Sequence, residues 1–276
     1  MAEKDNAMKS EVRQNSTPGI VSVLRFFSRA GLCPELEERT NMPSGCYAPE
    51  KPPKRPDPSQ YSQMERFNSG QGISYDSPDI ITNQHNSGLW PSIDVTVRNL
   101  SADAPAVGVH VRLDYSRYGI GFPMSELFSM SVDLNRSGVN GAEKKLSYPT
   151  PQWLRDEHQN IAVRATISHP HDRKNTNNIG EQAYSGSRVE KGTTATFDFD
   201  IYNSTGSGNT FVLYVQESDW NAQLSETHVQ LMPGQSKTIT LSLQVPQNET
   251  NNKSFNVIAM VGNRLYGGIF HNFDID

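Results

Sequence analysis

The chain has 276 residues, a net charge of −5, 35% hydrophobic and 20% charged residues, which describes a polar globular protein with length for more than one domain. No apolar run reaches 18 residues, so no membrane-spanning helix is expected, and no segment gathers Lys and Arg into the basic stripe that nucleic-acid binding requires. The opening MAEKDNAMKSEVRQ is charged and lacks an apolar stretch; it predicts no conventional secretory signal, hence a cytoplasmic location or export by a signal-independent route.

Residues 1–76 do not read as a packed domain. They hold one amphipathic helix over 18–30, with Thr17 to cap it, Pro18 at its first position and Gly31 to stop it. Ile20, Val23, Leu24 and Phe27 share one face, with Phe26 beside them. A helix this short is marginal alone in water, so that face is expected to bury against this protein's own sandwiches or on another protein. Cys33 and Cys46 follow, either as one loop-closing disulfide or as two thiols; two cysteines cannot make a zinc site without distant histidines. The Pro-rich stretch YAPEKPPKRPDPSQYSQMERFNSGQG is expected to be extended or disordered unless something else holds it.

From residue 77 the period changes to two. IDVTVRNL, VGVHVRLDYS, FSMSVDLN and NIAVRATISH alternate apolar and polar residues, with Val107, Val109, Val111 and Leu113 on one side of the second run. Turn residues separate these runs in NLSADAPA, RSGVNGAE and HDRKNTNN. Residues 187–276 repeat the pattern in TTATFDFDIYN, TFVLYVQES, SKTITLSLQVP and SFNVIAMVG, and end on LYGGIFHNFDI, which is expected to pair inside a sheet or, alternatively, to offer an exposed edge to a partner's strand. The expected fold class is all-β, with immunoglobulin-like antiparallel sandwiches over 77–186 and 187–276 behind the arm.

VTVRNLSADAPAVGVHVRLDYS followed by NIAVRATISHPHDRKNTNNIGEQ resembles the immunoglobulin-like cell-adhesion-related (CARDB-like) domains common in bacterial proteins. The resemblance rests on Asn99, Val109, Val111, Leu113, Asp172, Asn177 and Asn178, and in the last third on LMPGQSKTITLSLQVP. It covers about two thirds of the chain with short motifs, so it implies a fold and leaves the function to the site.

HPHDRKNTNN is the sharpest chemical candidate. On a strand His169 and His171 would share a side and, with Asp172, could approach a metal for a hydrolase, but Pro170 and the following Asn residues favour a polar turn. The calcium reading fails on ligand spacing. His110 reads as a solvent-facing spacer, His158 as part of a loop or helical turn, and Asp198 and Asp200 as the wet face of a strand. Neither a Gly-x-Ser-x-Gly elbow nor a phosphate loop occurs. Tyr115, Tyr118, Phe122, Trp153 and Trp220 sit in loop-like contexts, where aromatic rings either stack on a glycan or partner or plug the sandwiches.

The expected function is therefore non-enzymatic and cofactor-free. The sandwiches would form a spacer and display surface, joined to a larger assembly through residues 1–76 by burial of Ile20, Val23, Leu24, Phe26 and Phe27. A carbohydrate- or surface-binding adhesin is the first alternative, and a hydrolase built on His169, His171 and Asp172 the second.

Overall fold

The computed structural model describes residues 54–83, 89–216 and 219–276; the helix expected at 18–30, its apolar face, Cys33 and Cys46 lie outside them. Lys54–Asp276 form one compact unit. Its first half carries β1 (Pro58–Ser59), α1 (Gln63–Asn68), β2 (Ile80–Asn83), β3 (Leu89–Asn99), β4 (Ala106–Arg117) and β5 (Ser125–Leu134). These are followed by β6 (Glu143–Pro149), α2 (Gln152–Glu157), β7 (Ile161–Ser168) and β8 (Ile179–Gln182). Its second half carries β9 (Tyr184–Val189), β10 (Thr194–Tyr202), β11 (Asn209–Val215), β12 (Gln223–Leu224), β13 (His228–Leu231), β14 (Ser236–Gln244), β15 (Lys253–Val261) and β16 (Arg264–Ile275). The protein is all-β, as the alternation of period two requires.

Each half is a sandwich of two sheets. In the first, β3 pairs with β6 on one side and with β2 and β1 on the other, opposite a sheet ordered β5-β4-β7-β8. In the second, β10-β14-β12 faces a sheet ordered β13-β11-β15-β16-β9. Setting β3 and β6 against β10 and β14, and β5-β4-β7-β8 against β13-β11-β15-β16, gives the same immunoglobulin-like connectivity twice. Ile93, Val95, Val97, Val109, Val111, Leu113, Val163 and Ile167 fill the first core. Phe199, Phe211, Leu241, Phe255, Val257 and Phe273 fill the second. Each such side chain contributes about 1.5–3 kcal/mol by leaving water.

One asparagine turns the same corner in both halves. At the end of β3, the Asn99 amide donates to the carbonyls of Ala104 (2.8 Å) and Asn135 (3.0 Å), while its oxygen accepts from the Ser101 N–H. After β10, the Asn203 amide donates to the carbonyls of Ser207 (2.8 Å) and Leu231 (2.9 Å), while its oxygen accepts from the Thr205 N–H. Both are buried, because a chain leaving a sheet edge has backbone groups that only a side chain can satisfy there.

The alternation misplaces Val107. The register between β4 and β5 slips between Ala106 and Val109, Gly108 takes φ +72°, and its N–H meets the Asp133 carboxylate at 2.7 Å. This β-bulge inserts one residue and turns Val107 to solvent, 65% exposed.

Candidate functional site

His169 and His171 stand at the mouth of a turn. Their rings are 6.0 Å apart and cross at 65°. The His169 Nδ1 accepts the His171 N–H at 3.2 Å and its Nε2 reaches the Val107 carbonyl at 3.1 Å, an acceptor that fixes the proton on Nε2. Asp172 gives one oxygen to the Lys174 N–H (2.9 Å) and the other to the Asn178 amide (2.6 Å). The His169 lone pair and the Asp172 oxygens that a metal would use are thus engaged in folding the turn. Among the described residues, no group of three or more His, Cys, Asp and Glu could hold a metal ion.

What the turn does hold is the Pro-rich segment. Arg55 donates to the carbonyls of His171 (3.2 Å) and Asp172 (2.5 Å), and the Asn177 amide donates to Asp57. The Gln60 backbone N–H goes to the Asn177 carbonyl, and its amide to the carbonyls of Asn178 (2.9 Å) and Ala165 (2.6 Å). Ser62 donates to the Thr176 carbonyl and Glu65 forms an ion pair with Lys174. Gln63 then takes the place of a missing strand beside β8, its amide donating to the Glu181 carbonyl (2.6 Å) and its oxygen accepting the Glu181 N–H (3.0 Å). The condition set by the composition, that something must hold this segment, is met by side-chain amides together with the burial of Ile73 and Tyr75 in the second core.

The same segment ends at the junction of the sandwiches. Only Ala183 separates β8 from β9. Its N–H donates to the Tyr75 carbonyl and its carbonyl accepts the Phe270 N–H, both at 2.8 Å. Burial pushes the Tyr75 phenol well above its ordinary range. From the β4–β5 loop, Ile120 enters the second core: its N–H donates to Asp200 and its carbonyl accepts from Tyr202, both at 2.9 Å. Gly119 and Gly121 flank it with φ of +139° and +77°, and a Cβ on either would lie 2.7 Å from the Asp200 oxygen or 2.5 Å from the Tyr202 oxygen. Only glycine permits an approach this close.

Of the five aromatic candidates, Tyr115 packs against the first core and Tyr118 and Trp220 belong with the second, while Phe122 is half-buried outside both. The Tyr118 hydroxyl donates to the Phe270 carbonyl (3.0 Å) and accepts from Ser185 (2.7 Å), and its phenol is held above its ordinary pKa by burial. Phe122 stacks on Tyr202 with 5.2 Å between centroids, beneath the Arg117 guanidinium at 3.8 Å, and Arg117 in turn pairs with Asp200 at 3.1 Å. Trp220, 8% exposed, packs on Phe255 and Phe273 and donates its N–H to Glu249 at 3.0 Å. Rings with this much surface are worth more buried than displayed. Trp153 alone among them is largely open, 45% exposed, edge-on to the half-buried Tyr115 at 5.6 Å.

A buried histidine escaped the sequence reading. His271 lies on the inward face of β16 with Ile269 and Phe273, stacked on Phe197 at 3.7 Å. Its Nδ1 meets the Ser185 hydroxyl at 2.6 Å and its Nε2 the Ser187 hydroxyl at 2.9 Å. A hydroxyl, an imidazole and an orienting group in line have the outline of an acyl-transfer relay. Here burial pushes the imidazole down to about 3, and both nitrogens go to hydroxyls rather than to a carboxylate that would hold an imidazolium. A base this weak seldom takes a serine proton. The signal was available: His271 interrupts the alternation Ile269, His271, Phe273 at an inward position.

The fold defines the class as all-β, with immunoglobulin-like sandwiches. No family model and no curated protein matches the chain. Among solved structures, it is similar to WR4, an MSP family member of C. elegans, at 7% identity over 33% of this chain and 92% of that one, with a TM-score of 0.26. It is similar at 11% identity to Escherichia coli alpha-2-macroglobulin activated by porcine elastase, over 83% of this chain and 23% of that one, with a TM-score of 0.25. A protein of unknown function from Porphyromonas gingivalis W83 is 10% identical over 71% of this chain and 94% of that one, with a TM-score of 0.26. No helix among the described residues is long and apolar enough to cross a membrane.

Proposed function

We propose that the protein is a non-enzymatic interaction and structural component, related in kind to the bacterial cell-adhesion-related sandwiches. Its two sandwiches act as a stiff spacer and display surface, and residues 1–76 attach it to a larger assembly through Ile20, Val23, Leu24, Phe26 and Phe27. The observation that carries this reading is the junction. A single connecting residue, Ala183, has both backbone groups bonded, and Ile120 bridges to β10 beside it. Inter-domain links built for motion have long polar linkers and small wet contacts. This one has neither, and a fixed separation between two ends is what a spacer needs.

Burial of three or four apolar side chains supplies roughly 5–12 kcal/mol before ordering costs, a range that spans the roughly 8 kcal/mol of micromolar docking. The test is co-purification of the full chain with its assembly. Replacing Leu24 and Phe27 together by Asp is expected to abolish association and to leave the sandwich thermal transition unchanged. Unchanged association would remove the attachment role.

A second reading, a glycan- or surface-binding adhesin, is favoured by Trp153, whose open ring beside Tyr115 suits stacking on a sugar. It predicts glycan-array binding that Trp153→Ala eliminates. An array with no saturable binding would dispose of it.

A further inference from the structure

The two sandwiches differ at one edge. In the first, the edge of β3 is covered: Ile80 and Ile81 of β2 pair with Val95 and Asp94, and Pro58 and Ser59 of β1 pair with Asn99 and Arg98. In the second, the equivalent edge belongs to β10. The strand that should cover it, β9, has changed sheets and runs parallel to β16. Among the described residues, β10 pairs on its other side with β14 along its whole length, and the backbone pairing of its open side is a single parallel bridge, Ile120 to Ile201.

That bridge fixes which groups point outward. The Asp200 carbonyl and the Tyr202 N–H face Ile120. Strand alternation therefore turns the N–H and C=O of Thr194, Thr196 and Asp198 to the same side. A groove of about 300 Å³, lined by Ser187–Glu190 and Thr193–Thr196, runs beside them between β9 and β10. Edges of this kind are usually blunted by Pro, Lys or a bulge. This one carries none of them over Thr194–Asp198, and its register with β14 is continuous.

We propose that the edge of β10 from Thr194 to Asp198 is a strand-acceptor site for an extended peptide of a protein partner, carrying a basic side chain opposite Asp198. The occupant is chosen by continuity with the contact already in place. The chain's own loop adds to this edge at Ile201 and brings Arg117 to Asp200. One repeat further along the strand, Asp198 is exposed, accepts only the Thr240 hydroxyl at 2.6 Å, and has no ion pair among the described residues. A peptide running in the same sense continues the loop's place along the edge: backbone bonds give affinity, and the cation on Asp198 sets the register. This surface is independent of the attachment proposed above and stands if that fails.

The test uses the full-length ¹⁵N-labelled chain and the synthetic peptide acetyl-Thr-Val-Lys-Val-Thr-Val-amide, followed by amide shifts and by fluorescence polarisation of a labelled copy. Saturable binding is expected, with the largest shifts at Thr194, Thr196 and Asp198. Methylating alternate peptide nitrogens, which leaves the protein untouched, is expected to abolish it. Thr196→Pro removes only an outward donor and should weaken binding about tenfold, the loss of roughly one hydrogen bond. Asp198→Asn should weaken it several-fold and flatten its salt dependence. The proposal is overturned if the peptide does not saturate, if the methylated peptide binds equally, or if the shifts fall on Ser125–Leu134. It is also overturned if those amides shift on concentrating the protein alone, which would make the occupant a second copy.

Discussion

Ile120 and Ile201 belong to different sandwiches and form a single parallel β-bridge, with both side chains at the limit of burial. The first sandwich therefore contributes a core residue to the second. Ile120→Ala should cost about 2–5 kcal/mol by leaving a cavity. Gly121→Ala, which sets a methyl against the Tyr202 carbonyl at a positive φ, should cost about 1–3 kcal/mol. Because the residues lie between two cores, either change is expected to split one cooperative unfolding transition into two, as read by denaturant melts at two wavelengths.

His271 predicts an acid limit to stability. Its folded pKa is depressed to about 3 while the unfolded chain titrates near 6.5, so between those values the unfolded state binds the extra proton. Stability contributed by the neutral imidazole is complete above about pH 6.5 and falls by about 1.4 kcal/mol per pH unit as pH drops toward 3. Urea midpoints at pH 7, 6, 5 and 4 measure the slope. His271→Leu should flatten it; an unchanged slope would assign the acid sensitivity elsewhere.

Gln63 stands in for a strand, and its loss should show as one. Gln63→Ala strips the Glu181 N–H and carbonyl of their partners, and each buried group left so costs about 1–3 kcal/mol. Faster hydrogen exchange at Glu181 should accompany the shift in midpoint. If neither changes, the segment from Arg55 to Gln63 lies on the sandwich without supporting it.

The two tryptophans should separate cleanly. Trp220→Ala empties a core position and should cost about 3–5 kcal/mol. Trp153→Ala removes an exposed ring and should stay within about 1 kcal/mol. Thermal melts of the two variants decide it. A costly Trp153→Ala would mean that its edge contact with Tyr115 is structural.

Strands with one apolar face were readable because a pleat places alternate residues on one side. β3, β4, β7, β10 and β14 all carry that signal. β9 did not, because its inward residues are Ser185, Ser187 and Val189, and two of the three are polar for the sake of His271. Residues 54–76 were unreadable for a related reason: Gln60, Gln63 and Asn177 hold them by amide bonds, and the two residues buried in the core, Ile73 and Tyr75, are too few to set a period. The turn at His169 was legible from its Asp and Asn content, but not the segment it grips, since that contact joins residues more than a hundred positions apart. The aromatic candidates were visible as rings; which of them face inward depends on the junction, and no local pattern encodes it.

The single residue between β8 and β9 also constrains how this chain can change. A pleated run has parity: adding or deleting one residue at Ala183 would turn Ser185, Ser187 and Val189 outward and bring Arg188 into the apolar layer. Length variation at this point is thus restricted to changes that preserve the phase of the pleat. Loops elsewhere can drift in length across descendants of this sequence, while the spacing across Ala183 stays countable to the residue.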